Sequence, residues 1–222
     1  MKKFCLSVLL IIFTFSVAIA QKIVKNDLYT VVYSEELQQP ISLSYKVPVW
    51  SKIIYKHIKI EPLNFKLFGS EDLTIDVSYP DPDVRTKIFK EPSNIETSNE
   101  DDYVLNVYDH GHLAPKKTFE ASEVDRYLYS YLNCALMHET LNGGVWRVLE
   151  EYVRDLHKIV YVNVLVSFSD DSKQVKGGAT IPSAFTKVLN YKNKEGERVI
   201  EIYSFPNDTT VKGKKIEDFK IN

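Results

Sequence analysis

Apolar and polar side chains alternate one by one through several stretches of this 222-residue chain, and a period of two commits those stretches to half-buried β-strands. Ile41, Leu43, Tyr45 and Val47 alternate with Ser42, Ser44 and Lys46, and Leu73, Ile75 and Val77 alternate with Thr74, Asp76 and Ser78. Residues 103–107 and 128–132 read as shorter strands, and a second β-rich half runs through 161–168, 181–189 and 198–205. One stretch changes period. In LNGGVWRVLEEYVRDLHKIV, Val145, Leu149, Tyr152, Val153 and Leu156 recur at helical spacing, which predicts a helix from about Gly143 or Gly144. Residues 80–102, rich in Pro, Asp, Glu, Asn and Ser, predict a long irregular connection. No repeat or composition break divides the chain. The expectation is a single α+β domain over residues 21–222, with a central antiparallel sheet and flanking helices.

The first twenty residues stand apart from that domain. MKK precedes the apolar run FCLSVLLIIFTFSVAIA, and Ala18-Ile19-Ala20 supplies a small-x-small cleavage site before the polar QKIVKND. Residues 1–20 thus read as a secretory signal, short for a membrane span. The mature protein is expected outside the cytoplasm, secreted or periplasmic, without stable membrane association. Cys5 leaves with the signal, and Cys134, then the only thiol, reads as a small buried hydrophobe. Two Cys exclude a disulfide framework and a Cys-ligated zinc cluster. With 44% hydrophobic and 26% charged residues the chain is not disordered, and a formal charge of −2 excludes a bulk polyanion binder. Any chemistry falls to His, Asn and carboxylates.

Those residues cluster. Asp109-His110-Gly111-His112-Leu113-Ala114-Pro115 follows a predicted strand, and Leu141-Asn142-Gly143-Gly144-Val145-Trp146 opens the helix about thirty residues later. Glu150 and Arg154 are four apart and share a face, to which Asn142 returns two turns earlier. The helix can offer an amide, a carboxylate and a guanidinium to one site.

With these residues the chain resembles the DNA/RNA non-specific endonucleases, the ββα-metal nucleases whose hallmark is Asp-Arg-Gly-His followed by Leu-Ala-Pro. Tyr131-Leu132-Asn133, Leu141-Asn142-Gly143-Gly144-Val145-Trp146, Leu149-Glu150 and Arg154 continue that likeness, as do the 175–188 stretch with Ile181-Pro182 and Lys187-Val188, and Phe205-Pro206-Asn207. The resemblance implies a ββα-metal finger within the α+β fold and a phosphodiesterase that cuts DNA and RNA internally without sequence preference. It implies Mg2+, or another divalent cation, as cofactor. By position, His112 matches the general base, Asn142 the one side-chain metal ligand, Glu150 the holder of metal-bound water and Arg154 the cation beside the scissile phosphate. His110 stands where the family has Arg, giving up a permanent charge, so that charge there would come only in mild acid and an acid-displaced optimum is expected. Arg85 and Lys116 are candidate phosphate contacts.

Plainer readings exist for each. His112 could be a turn histidine, Asn142 a helix N-cap, and Glu150 with Arg154 a surface ion pair. Lys116 and Lys117 could be a solvated turn. Asn133-Cys134-Ala135-Leu136-Met137-His138-Glu139 replaces the family's Ser-Asn-x-x-Pro-Gln wall. The alternative function is a catalytically weakened nuclease fold that binds nucleic acid or a partner.

Overall fold

Alternating burial along β6 (Val160–Ser167) shows what organises the molecule: Val160, Val162, Val164 and Val166 face a core, while Tyr161, Asn163, Leu165 and Ser167 face away. The computed structural model describes residues 21–49, 75–79, 89–119 and 124–221. β6 lies centrally in a seven-stranded antiparallel sheet of order β1-β2-β3-β6-β7-β8-β9, built with β1 (Gln21–Lys25), β2 (Tyr29–Ser34), β3 (Gln39–Val47), β7 (Ala184–Lys192), β8 (Arg198–Pro206) and β9 (Lys220–Ile221). Register between β6 and β7 sets Val162 opposite Leu189 and Val164 opposite Lys187. A separate hairpin pairs β4 (Tyr108–His112) with β5 (Cys134–His138). The antiparallel sheet and its few helices match the α+β expectation.

After β5 the chain turns directly into a helix in three pieces: α2 (Glu139–Leu141), a π-helical turn (Asn142–Trp146) and α3 (Arg147–Asp155). His138 caps it, its Nδ1 accepting from the Thr140 amide at 3.1 Å. At Gly144 the backbone leaves helical geometry (φ −100°, ψ −121°), a break of the kind that recurs at functional sites. The helix ends where His157 takes the left-handed conformation (φ 48°). It packs through Trp146, whose ring lies 5.7 Å from Phe185 and 6.0 Å from Phe205, and through buried Leu149 and Val153. Enclosing a leucine such as Leu149 contributes roughly 1.5–3 kcal/mol. No helix among the described residues is long and apolar enough to cross a membrane.

Two short strands lie elsewhere than the sequence predicts. Residues 103–107 follow a 3-10 turn (Glu100–Tyr103) and stay irregular, with Leu105 at φ 58° and 99% exposed. The strand is 108–112 instead: Val104, Leu105 and Val107 are left exposed, while the polar motif pairs with β5. Residues 128–132 close α1 (Asp125–Leu128) and enter a second 3-10 turn, and the strand follows at 134–138, buried throughout. The helix begins at Glu139 rather than Gly143, since the His138 cap precedes the Gly pair. Of the Leu73–Val77 pattern, residues 75–77 have no regular structure, though the Ile75 amide bonds the Ile23 carbonyl at 3.0 Å. Residues 73 and 74, the 1–20 leader and Arg85 lie outside the described residues.

Candidate active site

Close packing of the hairpin requires the glycine of the Asp-His-Gly-His motif. A Cβ on Gly111 would collide with the Met137 side chain and come within 3.0 Å of the Ala135 carbonyl. His110 and His112, two apart on β4, share one face and enter a ring of aromatics. The His110 imidazole is stacked between Tyr103, at 3.9 Å, and Phe89, at 4.6 Å. Glu100 Oε2 approaches its Nε2 at 3.3 Å without hydrogen-bond geometry. Burial lowers the His110 pKa, with Glu100 and Asp109 opposing. Positive charge on His110 therefore arrives at lower pH than on a free imidazole, which sets back the stand-in for the family's Arg.

His112 sits 5.0 Å from Phe89 and 5.9 Å from Tyr129. Burial, helped by His110 and Lys116, lowers its pKa to about 4 against a smaller opposing bond to the His110 backbone. Its Nε2 is buried without a protein hydrogen-bond partner. At neutral pH this is an uncharged imidazole with one ring nitrogen uncommitted, which is the state a proton acceptor needs. Lys116 bonds the Tyr129 hydroxyl, so its ammonium belongs to the same neighbourhood.

The segment after the histidines is tied by a fully buried amide. Asn133 Oδ1 accepts from the Ala114 amide at 2.8 Å, and its Nδ2 donates to the Ala114 and Leu128 carbonyls. Asn207 does the same at the hairpin's far end, accepting from the His138 amide at 2.7 Å and donating to the Leu136 and Pro182 carbonyls. These two amides explain the Leu-Asn and Pro-Asn elements of the pattern in terms of backbone satisfaction. Cys134 is buried, its thiol bonded to the Tyr103 hydroxyl at 3.1 Å and pushed well up in pKa by burial.

Two contacts join the helix to β4. Asn142 Nδ2 donates to Asp109 Oδ2 at 3.0 Å, and Trp146 Nε1 donates to the His112 carbonyl at 3.3 Å. Asn142 lies inside the helix (φ −59°, ψ −51°), so it is not the N-cap; His138 is. With Nδ2 held by Asp109, the amide's orientation is set and its Oδ1 is turned the opposite way.

One turn further on, the exposed ion pair at i,i+4 is Arg147–Glu151, at 2.8 Å, and not Glu150 with Arg154. Glu150 turns inward toward Lys187 Nζ at 3.9 Å. Lys187 is completely buried and lies 3.7 Å over the Trp146 ring. Burial raises the Glu150 pKa to about 6, against lowering by Lys187 and Arg154, and burial lowers the Lys187 pKa to about 8. Arg154 Nη1 is buried without a partner. Lys187 is the site residue that spacing alone does not single out, because it falls within a strand pattern. A lone cation on the apolar face shared by Phe185 and Leu189 is the signal that could have found it.

Among the described residues no group of three His, Cys, Asp or Glu is placed to cage a metal. The Asn142 amide oxygen and the Asp109 carboxylate beside it are hard donors, and they would suit an ion that keeps most of its waters. Magnesium would fit this set, whereas zinc draws three or four protein ligands from Cys, His and carboxylates, and among the described residues no such group is assembled.

A β-hairpin running into a helix, laid against a large antiparallel sheet, with its first strand tied to the helix through Asp109 and the His112 carbonyl, defines the ββα nuclease-like class of fold. The sequence matches the DNA/RNA non-specific endonuclease family over residues 9–222, and the chain belongs to that family. Among solved structures, that of the EndoG/EndoGI complex, described as showing the mechanism of EndoG inhibition, is similar in fold with a TM-score of 0.65 at 19% identity, over 90% of this chain and 80% of that one. A salivary endonuclease of Lutzomyia longipalpis is 32% identical over 62 residues. That match takes in 28% of this chain and 15% of the relative, so the chain spans a small part of that protein's length.

Proposed function

We propose that this protein is an endonuclease that hydrolyses internal phosphodiester bonds of DNA and RNA, with His112 as general base. The observation that carries this reading is the 3.0 Å bond between Asn142 and Asp109, which brings the helix amide to the strand that bears His112. His112 Nε2 takes the proton of the attacking water, and the aromatic enclosure keeps the imidazole neutral until that moment. Glu150, ionised above about pH 6, orients water, and Arg154 with its uncommitted Nη1 supplies a charge-assisted contact to a phosphate oxygen. Asn142 would hold the divalent ion, magnesium by the hardness of its ligand, which when bound supplies charge neutralisation at the phosphate. Lys116 and Arg85 are read as contacts to flanking phosphates. Recognition through backbone phosphates rather than base edges leaves sequence unread.

The leader pattern, together with the salivary relative, supports secretion. Plasmid nicking with and without EDTA tests the reaction. His112→Ala should lose roughly 10²–10⁴-fold in rate while retaining plasmid binding. Undiminished nicking by that variant, or by the parent in EDTA, would remove the mechanism. A parent that binds plasmid without nicking it would be the binding module.

A further inference from the structure

Beyond the C-terminus of α3, the ends of β6, β7 and β8 border a second hollow of about 600 Å3. Its lining includes Tyr161 and Tyr191 with His157, Lys158, Lys192 and Arg198, and no Asp or Glu is among the described lining residues. That is a local excess of cations in a chain whose formal charge is −2. Both rings have an ammonium close by: Lys158 Nζ lies 5.4 Å from the Tyr191 centroid and Lys46 Nζ 5.8 Å from that of Tyr161. Arg198 is oriented by the bond from its Nε to Asn190 Oδ1 at 3.1 Å. Tyr191 follows Lys187 by four residues on the same strand, about 13 Å at the rise of a β-strand.

Two half-buried aromatic faces, set among Val49, Ile159 and Asn190 and flanked by Lys158, Lys192 and Arg198 as the charged lining, match a flexible polyanion that carries aromatic bases. We propose that this hollow is a second binding site for single-stranded nucleic acid, stacking a base on Tyr161 or Tyr191 and holding adjacent phosphates on Lys158, Lys192 and Arg198. The proposal rests on the nuclease reading for its choice of ligand. It adds to the reaction a hold on the substrate strand away from the scissile bond, and so acts on KM and not on kcat.

The test uses the full chain. Anisotropy of a fluorescein-labelled oligothymidylate is measured on His112→Ala, so that nothing is cut. Adding Lys192→Glu and Arg198→Glu should weaken binding at least tenfold and lower the slope of log K against log salt by about 1.4, roughly 0.7 for each single-strand phosphate that is no longer neutralised. Lys173→Glu with Lys212→Glu, both exposed positions outside the lining, makes the same net-charge change and should leave affinity within twofold. Tyr161→Ala should weaken binding severalfold without altering the slope. In otherwise wild-type protein the Lys192/Arg198 reversal should raise KM on polymeric DNA and leave hydrolysis of bis(p-nitrophenyl) phosphate, too small to span both places, unchanged. Equal effects of the two double reversals would overturn the proposal. Cleavage of DNA with binding indifferent to the reversal defeats the hollow alone. Binding that follows the reversal in a parent that cuts nothing defeats the nuclease reading alone.

Discussion

On the β4 wall of the site two imidazoles are packed among Phe89, Tyr103 and Tyr129, whereas on the α3 wall Glu150, Arg154 and Lys187 crowd three charges round Trp146. Both walls are shielded from water, but the partners differ and so does the outcome. Aromatic rings give His112 no counter-charge, burial prevails, and the imidazole stays neutral down to about pH 4. On the helix the ions offset one another. Glu150 is raised only to about 6 and Lys187 lowered only to about 8, which leaves both charged at pH 7. Similar burial thus leaves a neutral imidazole on one side and charges held by mutual pairing on the other, a division that the proposed phosphodiester hydrolysis can use.

The sharpest way to break this comparison is to detach the two walls from each other. Asp109→Ala removes the acceptor that orients Asn142, and the Mg2+ concentration for half-maximal nicking should rise roughly 10–100-fold. An unchanged requirement would mean that Asn142 needs no such guide. Next in size is Gly111→Ala, which forces β4 away from β5 and should lower stability by roughly 1–3 kcal/mol in urea unfolding. Wild-type behaviour would show that the hairpin yields freely at that point.

A pH profile then asks which wall sets the acid limit. The raised Glu150 pKa means its charge is present above about pH 6 and lost as pH falls through that value, while His112 stays neutral throughout that range, so on the proposed mechanism activity should fall with the Glu150 charge. Lys187→Met removes a cation that holds the Glu150 pKa down, so the limb should move to higher pH, and the buried carboxylate left without that partner should cost roughly 3–5 kcal/mol of stability where it is ionised. A limb that does not move would pass control to another group. The smallest effect is expected from Arg147→Ala, which breaks an exposed pair worth roughly 0.3–0.5 kcal/mol and should leave cleavage unaltered.

How legible each part was in the sequence follows from what faces it. The long strand β6 alternates cleanly because one face is buried and the other wet, and the helix declares itself through Val145, Leu149 and Val153. Sequence alternation fails for β4 and β5. β4 carries the polar Asp109 and His110 on a hairpin that is not part of the main sheet, and β5 is buried at every position, so neither shows a period of two. The two motif stretches, Asp109 to Pro115 and Leu141 to Trp146, were legible and do meet, through the Asn142–Asp109 bond and the bond from Trp146 to the His112 carbonyl. What sequence hid was environment: the pairing of Glu150 with Lys187 rather than Arg154 is long-range, and the rings that neutralise His112 come from Phe89 and Tyr129, distant in the chain and unmarked by spacing.

The thiol at Cys134 is the chain's one sulfhydryl among the described residues, and it is sealed beneath the Tyr103 hydroxyl with its ionisation suppressed. Only a thiolate exchanges disulfides or takes up oxidants at speed. An oxidising milieu therefore finds no handle at this position: the folded chain neither cross-links to a second copy through it nor depends on a reductant to stay intact.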